Sequence, residues 1–104
     1  MLARRGQEHL KLGNTKDALN LLESAVKLKP DIGDYHAFYA KALLASGADA
    51  GRYLTSLQSA IDLAPDAISV NLLAGEIHHQ TGHEEEAITF YEKVLELQPE
   101  HEEA

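Results

Sequence analysis

A chain of 104 residues has room for one domain, and 17 acidic against 9 basic residues, a net charge of −8, argue against binding the phosphate backbone of nucleic acid. The absence of cysteine excludes a disulfide framework, a thiolate nucleophile and zinc held by cysteine, and no apolar run approaches the ~18 residues needed to cross a bilayer. With 44% hydrophobic and 25% charged residues and no apolar signal-peptide core in the opening stretch, a folded, soluble chain without a targeting segment in these residues is expected, its compartment open.

In chain order, the first helical pattern stops at Gly13, a residue that tolerates the left-handed conformation of a helix end. Asn14 is a fair N-cap for the next helix, with Asp17 three residues on, and Ala18, Leu22, Ala25 and Val26 supply its buried stripe before Pro30. Asp31 is then expected to cap a third helix that ends at Gly47, and a fourth, carrying Leu57 and Ala60, runs to Pro65. Asp66 is expected to cap a fifth, in which Val70, Leu73, Ala74 and Ile77 recur at helical spacing before Gly82. The sixth, Glu84 to Leu97, buries Ala87, Ile88, Tyr91, Val94 and Leu95, opens on three glutamates that oppose the helix dipole, and is closed by Pro99. No stretch alternates with the period of two that a strand requires, so the expected class is all-α.

The punctuation itself repeats. Gly13, Gly47 and Gly82 are 34 and 35 residues apart, and Pro30, Pro65 and Pro99 are 35 and 34 apart. A period of this size is the mark of a stacked solenoid, in which each unit buries its apolar face against a neighbour. The expected division is a single domain over 1–104 with repeats at 1–32, 33–67 and 68–101, and 102–104 as a tail or the start of a further helix. Charge is uneven along it: six basic residues face three acidic ones from Met1 to Lys29, whereas eight glutamates face Lys93 alone from Glu84 onward.

The third unit, with Ala74-Gly75, Glu86-Ala87-Ile88, Phe90-Tyr91-Glu92-Lys93-Val94-Leu95-Glu96-Leu97 and Pro99, closely resembles the tetratricopeptide repeat. Gly6, Gly13, Ala18, Leu22, Ala25 and Pro30 fill the same slots in the first unit, and Ala40, Gly47, Leu57, Ala60 and Pro65 in the second. Small residues at Gly75 and Ala87 are expected to let the paired helices approach, with Tyr91 filling the space beside them. Arg5 stands where the family has a buried leucine, and Tyr53 where it has a small alanine. The extra residue in the Gly47 to Gly51 turn is expected to shift that helix outward to seat the ring.

The resemblance implies an α-solenoid of three helix-turn-helix repeats in a right-handed superhelix, whose concave groove is lined by the first helix of each pair and binds a peptide or helix of a protein partner. Carried over residue by residue, the groove would present Gln7, Leu10 and Lys11, then Ala37, Lys41, Leu44 and Ala45, then Leu72, Glu76 and His79. The slots used by relatives that clamp a chaperone's terminal carboxylate hold Ala3, Gln7, Phe38, Ser69 and Leu73, which lack the cations of that clamp. His78, His79 and His83 attract a metal reading, but Gly82 breaks the helix that would align the last two, and His78, like His9, stands where the family packs a tyrosine. No serine has a base that spacing supports, so neither catalysis nor a cofactor or metal is expected. The alternative reading is a structural module that self-associates as a dimer or head to tail, Arg4, Arg5 and Lys11 of one copy meeting Glu96, Glu100 and Glu102 of another.

Overall fold

The computed structural model describes residues 2–98. Met1, Pro99 and Glu100–Ala104 lie outside the described residues, and with them the closing proline, the contacts assigned to Glu100 and Glu102, and the start of a further helix. The described residues form six helices: α1 (Leu2–Lys11), α2 (Thr15–Leu28), α3 (Gly33–Ala45), α4 (Ala50–Leu63), α5 (Ile68–Gln80) and α6 (Glu84–Leu97). No strand occurs among them. They pack as hairpins α1–α2, α3–α4 and α5–α6, stacked in sequence into an all-α solenoid.

Each hairpin turns in the same way. Gly13, Gly47 and Gly82 have φ of 84°, 84° and 83°, in the left-handed region where a side chain would be strained. The amide of Gly13 donates to the Leu10 carbonyl at 3.2 Å and that of Asn14 to the His9 carbonyl at 2.8 Å, and both bonds recur one and two repeats later. This paired motif satisfies two carbonyls that the helix end would leave bare.

The sixth helix starts at Glu84 as expected, but the capping of α2, α3 and α5 differs from expectation. Asn14 makes no capping bond; its side-chain amide donates instead to His9 Nδ1 at 3.3 Å. The N-cap positions before α3 and α5 are Ile32 and Ala67, not Asp31 and Asp66, and neither caps through its side chain. The chain runs on one residue past each aspartate before it coils, and the inter-repeat turn is closed from the far side. The His36 ring N–H donates to the Pro30 carbonyl at 2.7 Å, and the Asn71 amide donates to the Pro65 carbonyl at 3.0 Å. Asp66 is used otherwise, 3.2 Å from Lys93 Nζ on α6. Among α2 to α6, whose N-caps are described, only α4 has a side-chain cap, where Asp49 accepts the Arg52 amide at 3.2 Å.

Within hairpins, small residues set the spacing. A methyl on Gly6 would lie 2.6 Å from Leu22 Cγ, and one on Gly75 would lie 2.5 Å from the Tyr91 ring, so neither position admits a side chain without a shift. Leu22, Leu43, Ile77 and Val70 are the largest wholly buried side chains, each contributing about 1.5–3 kcal/mol by burial. Tyr53, in its small-residue slot, is buried in the central cluster with Ala40, Leu43, Leu57, Ala74 and Ile77, and so ties α3 and α4 to α5.

The two junctions are fastened on different sides. Between the first and second hairpins the main contact is α2 with α3, and α1 touches α3 lightly; between the second and third it is α3 with α5, and α4 touches α5 lightly. Two side-chain bonds mark this second seam. Ser69 donates to Asp34 at 2.7 Å, and Lys41 Nζ donates to Glu76 Oε1 at 2.9 Å.

Candidate functional site

The first helices α1, α3 and α5 line up along one face, where a concavity of about 250 Å³ opens between Gln7, Leu10, Lys11, Phe38, Lys41, Leu73 and Glu76. The repeat phase explains its make-up. Gln7, Lys41 and Glu76 occupy one repeat position on successive helices and form its polar wall, while Leu10, Phe38 and Leu73 supply the apolar floor. Lys41 is held toward Glu76, with its side chain 18% exposed, so the pair presents a fixed dipole to the concavity rather than a loose cation. Lys11 is exposed and makes no ion pair among the described residues.

Of the residues expected to face a groove, Gln7, Leu10, Lys11, Lys41 and Glu76 are brought together here. The others lie elsewhere. Ala37 has no exposed surface and sits in a cluster with Ala60, Val70 and Leu73. Leu44 is half-buried against the central cluster of α3, α4 and α5, so it joins repeats together. Ala45 is exposed at the end of α3, Leu72 is 41% exposed on α5, and His79 is exposed with Nδ1 2.9 Å from Glu84. Sequence reasoning missed Phe38 and Leu73 as pocket residues, weighing Phe38 as a clamp slot and Leu73 as a clamp slot and part of the fifth helix's apolar stripe. Each follows an expected residue, Ala37 or Leu72, by one position, about 100° around a helix: Ala37 is buried where Phe38 lines the pocket, and Leu72 is exposed to solvent where Leu73 lines it. A bulky apolar residue at the same repeat position on two neighbouring helices, Phe38 and Leu73, was the available signal.

The slots of the carboxylate clamp are closed in another way as well, since the Ser69 hydroxyl is committed to Asp34. The histidines are dispersed: His78 stacks on Phe90 at 5.5 Å and 4° and meets the edge of His83 at 5.6 Å, while His83 Nδ1 lies 2.9 Å from the Thr81 hydroxyl. No three His, Asp or Glu side chains converge among the described residues in the manner of a metal site. A second concavity of about 260 Å³, among Leu2, Ala3, Ala25, Leu28, Lys29 and Tyr35, belongs to the first junction alone.

A stack of helix hairpins closed by one repeated turn, with the first helices facing a shared concavity, defines a helical-repeat interaction module. Tetratricopeptide-repeat profiles match residues 68–101 and residues 4–51. The chain belongs to the tetratricopeptide-repeat family, and its function class is that of a protein–protein interaction module. No curated protein sequence matches it. Among solved structures it is similar to "MamA RS-1 ArsTM double mutant" (TM-score 0.74, 24% identity, 96% of this chain and 56% of that one). It is similar too to "MamA 41-end from Desulfovibrio magneticus RS-1" (TM-score 0.75, 24% identity, 95% and 55%) and to "Crystal structure of MamA" (TM-score 0.69, 16% identity, 99% and 60%). These likenesses concern the fold. The chain spans little more than half the length of those solved chains. No described helix is long and apolar enough to cross a membrane.

Proposed function

We propose that the concavity between α1, α3 and α5 receives a peptide or helix of a partner protein, one apolar side chain seating on Leu10, Phe38 and Leu73 while its backbone meets Gln7, Lys41 and Glu76. The observation that carries this reading is the pocket's composition. An apolar floor bounded by a few fixed polar groups fits an anchored segment, and it spans the first helices of all three repeats. On this reading each repeat, within the divisions 1–32, 33–67 and 68–101, contributes one wall.

Peptides selected from a random display library on the immobilised protein test the reading. Gln7→Trp changes a half-exposed wall residue, fills the pocket mouth and leaves the core untouched. Selected peptides should bind this variant at least ~30-fold more weakly, the effect of losing an anchor of about 2 kcal/mol, at an unchanged melting temperature. Peptides that bind both proteins equally would remove the pocket from the account.

A further inference from the structure

The concavity between α1, α3 and α5 is electrically lopsided. Its charged lining residues are Lys11, Lys41 and Glu76, and only one of the two lysines is answered. Lys41 Nζ lies 2.9 Å from Glu76 Oε1, whereas Lys11 makes no ion pair among the described residues. The repeat register explains the difference. Gln7, Lys41 and Glu76 share one repeat position, so Lys41 finds its carboxylate at the same height on the next helix. Lys11 stands one turn beyond Gln7, where the matching residues of α3 and α5 are Ala45 and Gln80, neither able to carry a negative charge. The nearby acids are engaged elsewhere: Asp34 accepts the Ser69 hydroxyl at 2.7 Å, and Glu8, outside the lining, lies 4.0 Å from Arg4 Nε. Two lysines against one glutamate leave the lining positive within a chain whose formal net charge is −8.

Size decides which part of a partner reaches these groups. At about 250 Å³ the concavity is smaller than the ~300–1,000 Å³ of a small-molecule site, so it takes one bulky side chain on Leu10, Phe38 and Leu73 and leaves the neighbouring residues on its rim. Lys11 is exposed at that rim, next in sequence to Leu10 of the floor. Lys41 also keeps two of its three N–H donors beyond the bond to Glu76. A carboxylate beside the anchor therefore meets an unanswered cation, and an ammonium in the same place meets no free anion in the lining.

We propose that the groove selects segments in which an acidic side chain lies within a few residues of the apolar anchor, its carboxylate pairing with Lys11. The inference rests on the groove reading above and adds the charge of the partner to it. The probes are short acetylated and amidated peptides with a central phenylalanine or leucine among neutral polar residues, carrying Glu, Gln or Lys at each flanking position in turn. At the best flanking position the Glu peptide should bind at least about threefold more tightly than the Gln peptide and about tenfold more tightly than the Lys peptide, the scale of a partly screened ion pair and of its reversal. Lys11→Gln should abolish the difference between Glu and Gln, and Lys11→Glu should reverse the order of Glu and Lys. Lys16→Glu, at an exposed position outside the lining, makes the same change in net charge as Lys11→Glu and should leave the order as it is in wild type. Should Lys11→Glu misfold, the loss of preference in Lys11→Gln decides the matter.

Binding that Gln7→Trp blocks but that is indifferent to the flanking charge, or favours Lys, would overturn this inference and leave the groove in place. An order that shifts equally in Lys11→Glu and Lys16→Glu overturns it as well, because net charge is then the cause. No binding by any probe, or binding that Gln7→Trp fails to weaken, removes the groove and the inference together.

Discussion

His78 shows how one side chain carries a pH dependence in a helical repeat. It lies half-buried between Phe90 and His83, and its Nδ1 has no hydrogen-bond partner. Burial above all, and His83 next, push its pKa below the ordinary 6.5, with Glu86 opposing them. A histidine depressed in the fold binds a proton more readily when the chain is unfolded. The stability it confers is therefore full above pH 6.5 and is lost as pH falls below that value. The melting temperature should drop between about pH 7.5 and pH 5, and His78→Phe, which keeps the stack on Phe90, should flatten that drop. His79→Gln, on an exposed ring outside the stack, is the control; equal acid sensitivity in wild type and His78→Phe would refute the assignment. The packing slot of His78 was legible in the repeat phase, and so was that of Tyr91 beside Gly75. The burial of Ala37 and Leu44 was not, because it depends on how the next repeat rotates against α3, which no spacing within α3 encodes.

At the scale of the helix, the glycine ends and the starts at Asn14 and Glu84 were legible, and the starts that follow Pro30 and Pro65 were not. A glycine stop rests on a backbone conformation that one residue type favours, so Gly13, Gly47 and Gly82 could be read without knowing their neighbours. A cap depends on where the chain begins to coil. After Pro30 and Pro65 that point is set by His36 and Asn71 reaching back from the following helix, which displaced Asp31 and Asp66 from the capping position. Asp49, which caps through its side chain, and Asn14, which does not, should accordingly respond differently to truncation. Asp49→Ala removes the Arg52 amide bond and should cost about 1 kcal/mol, whereas Asn14→Ala, which caps nothing, should cost less than about half of that in denaturant titration. Equal losses at the two sites would show that capping is not what distinguishes them.

Across the whole molecule, the central cluster draws on α3, α4 and α5 at once, so Tyr53, Ala40 and Leu43 are covered only when Ala74 and Ile77 are present. A fragment of residues 1–65 should therefore lose helicity per residue by far-UV circular dichroism and melt without a cooperative transition. A fragment that keeps both would mean that the first two hairpins form an independent unit. The period of 34 and 35 residues made the stack legible, but not the side on which each hairpin is fastened to the next. That asymmetry has a mechanical consequence. The first seam runs along α2 and α3, behind the groove, while the second runs along α3 and α5 within it, bolted by Asp34 with Ser69 and by Lys41 with Glu76. The α3–α5 wall of the groove is thus tied by side-chain bonds, whereas α1 meets α3 by packing alone among the described contacts. On the proposed reading, an occupant too bulky for the gap would part α1 from α3 before it parted α3 from α5, so the pocket would gauge thickness from the α1 side.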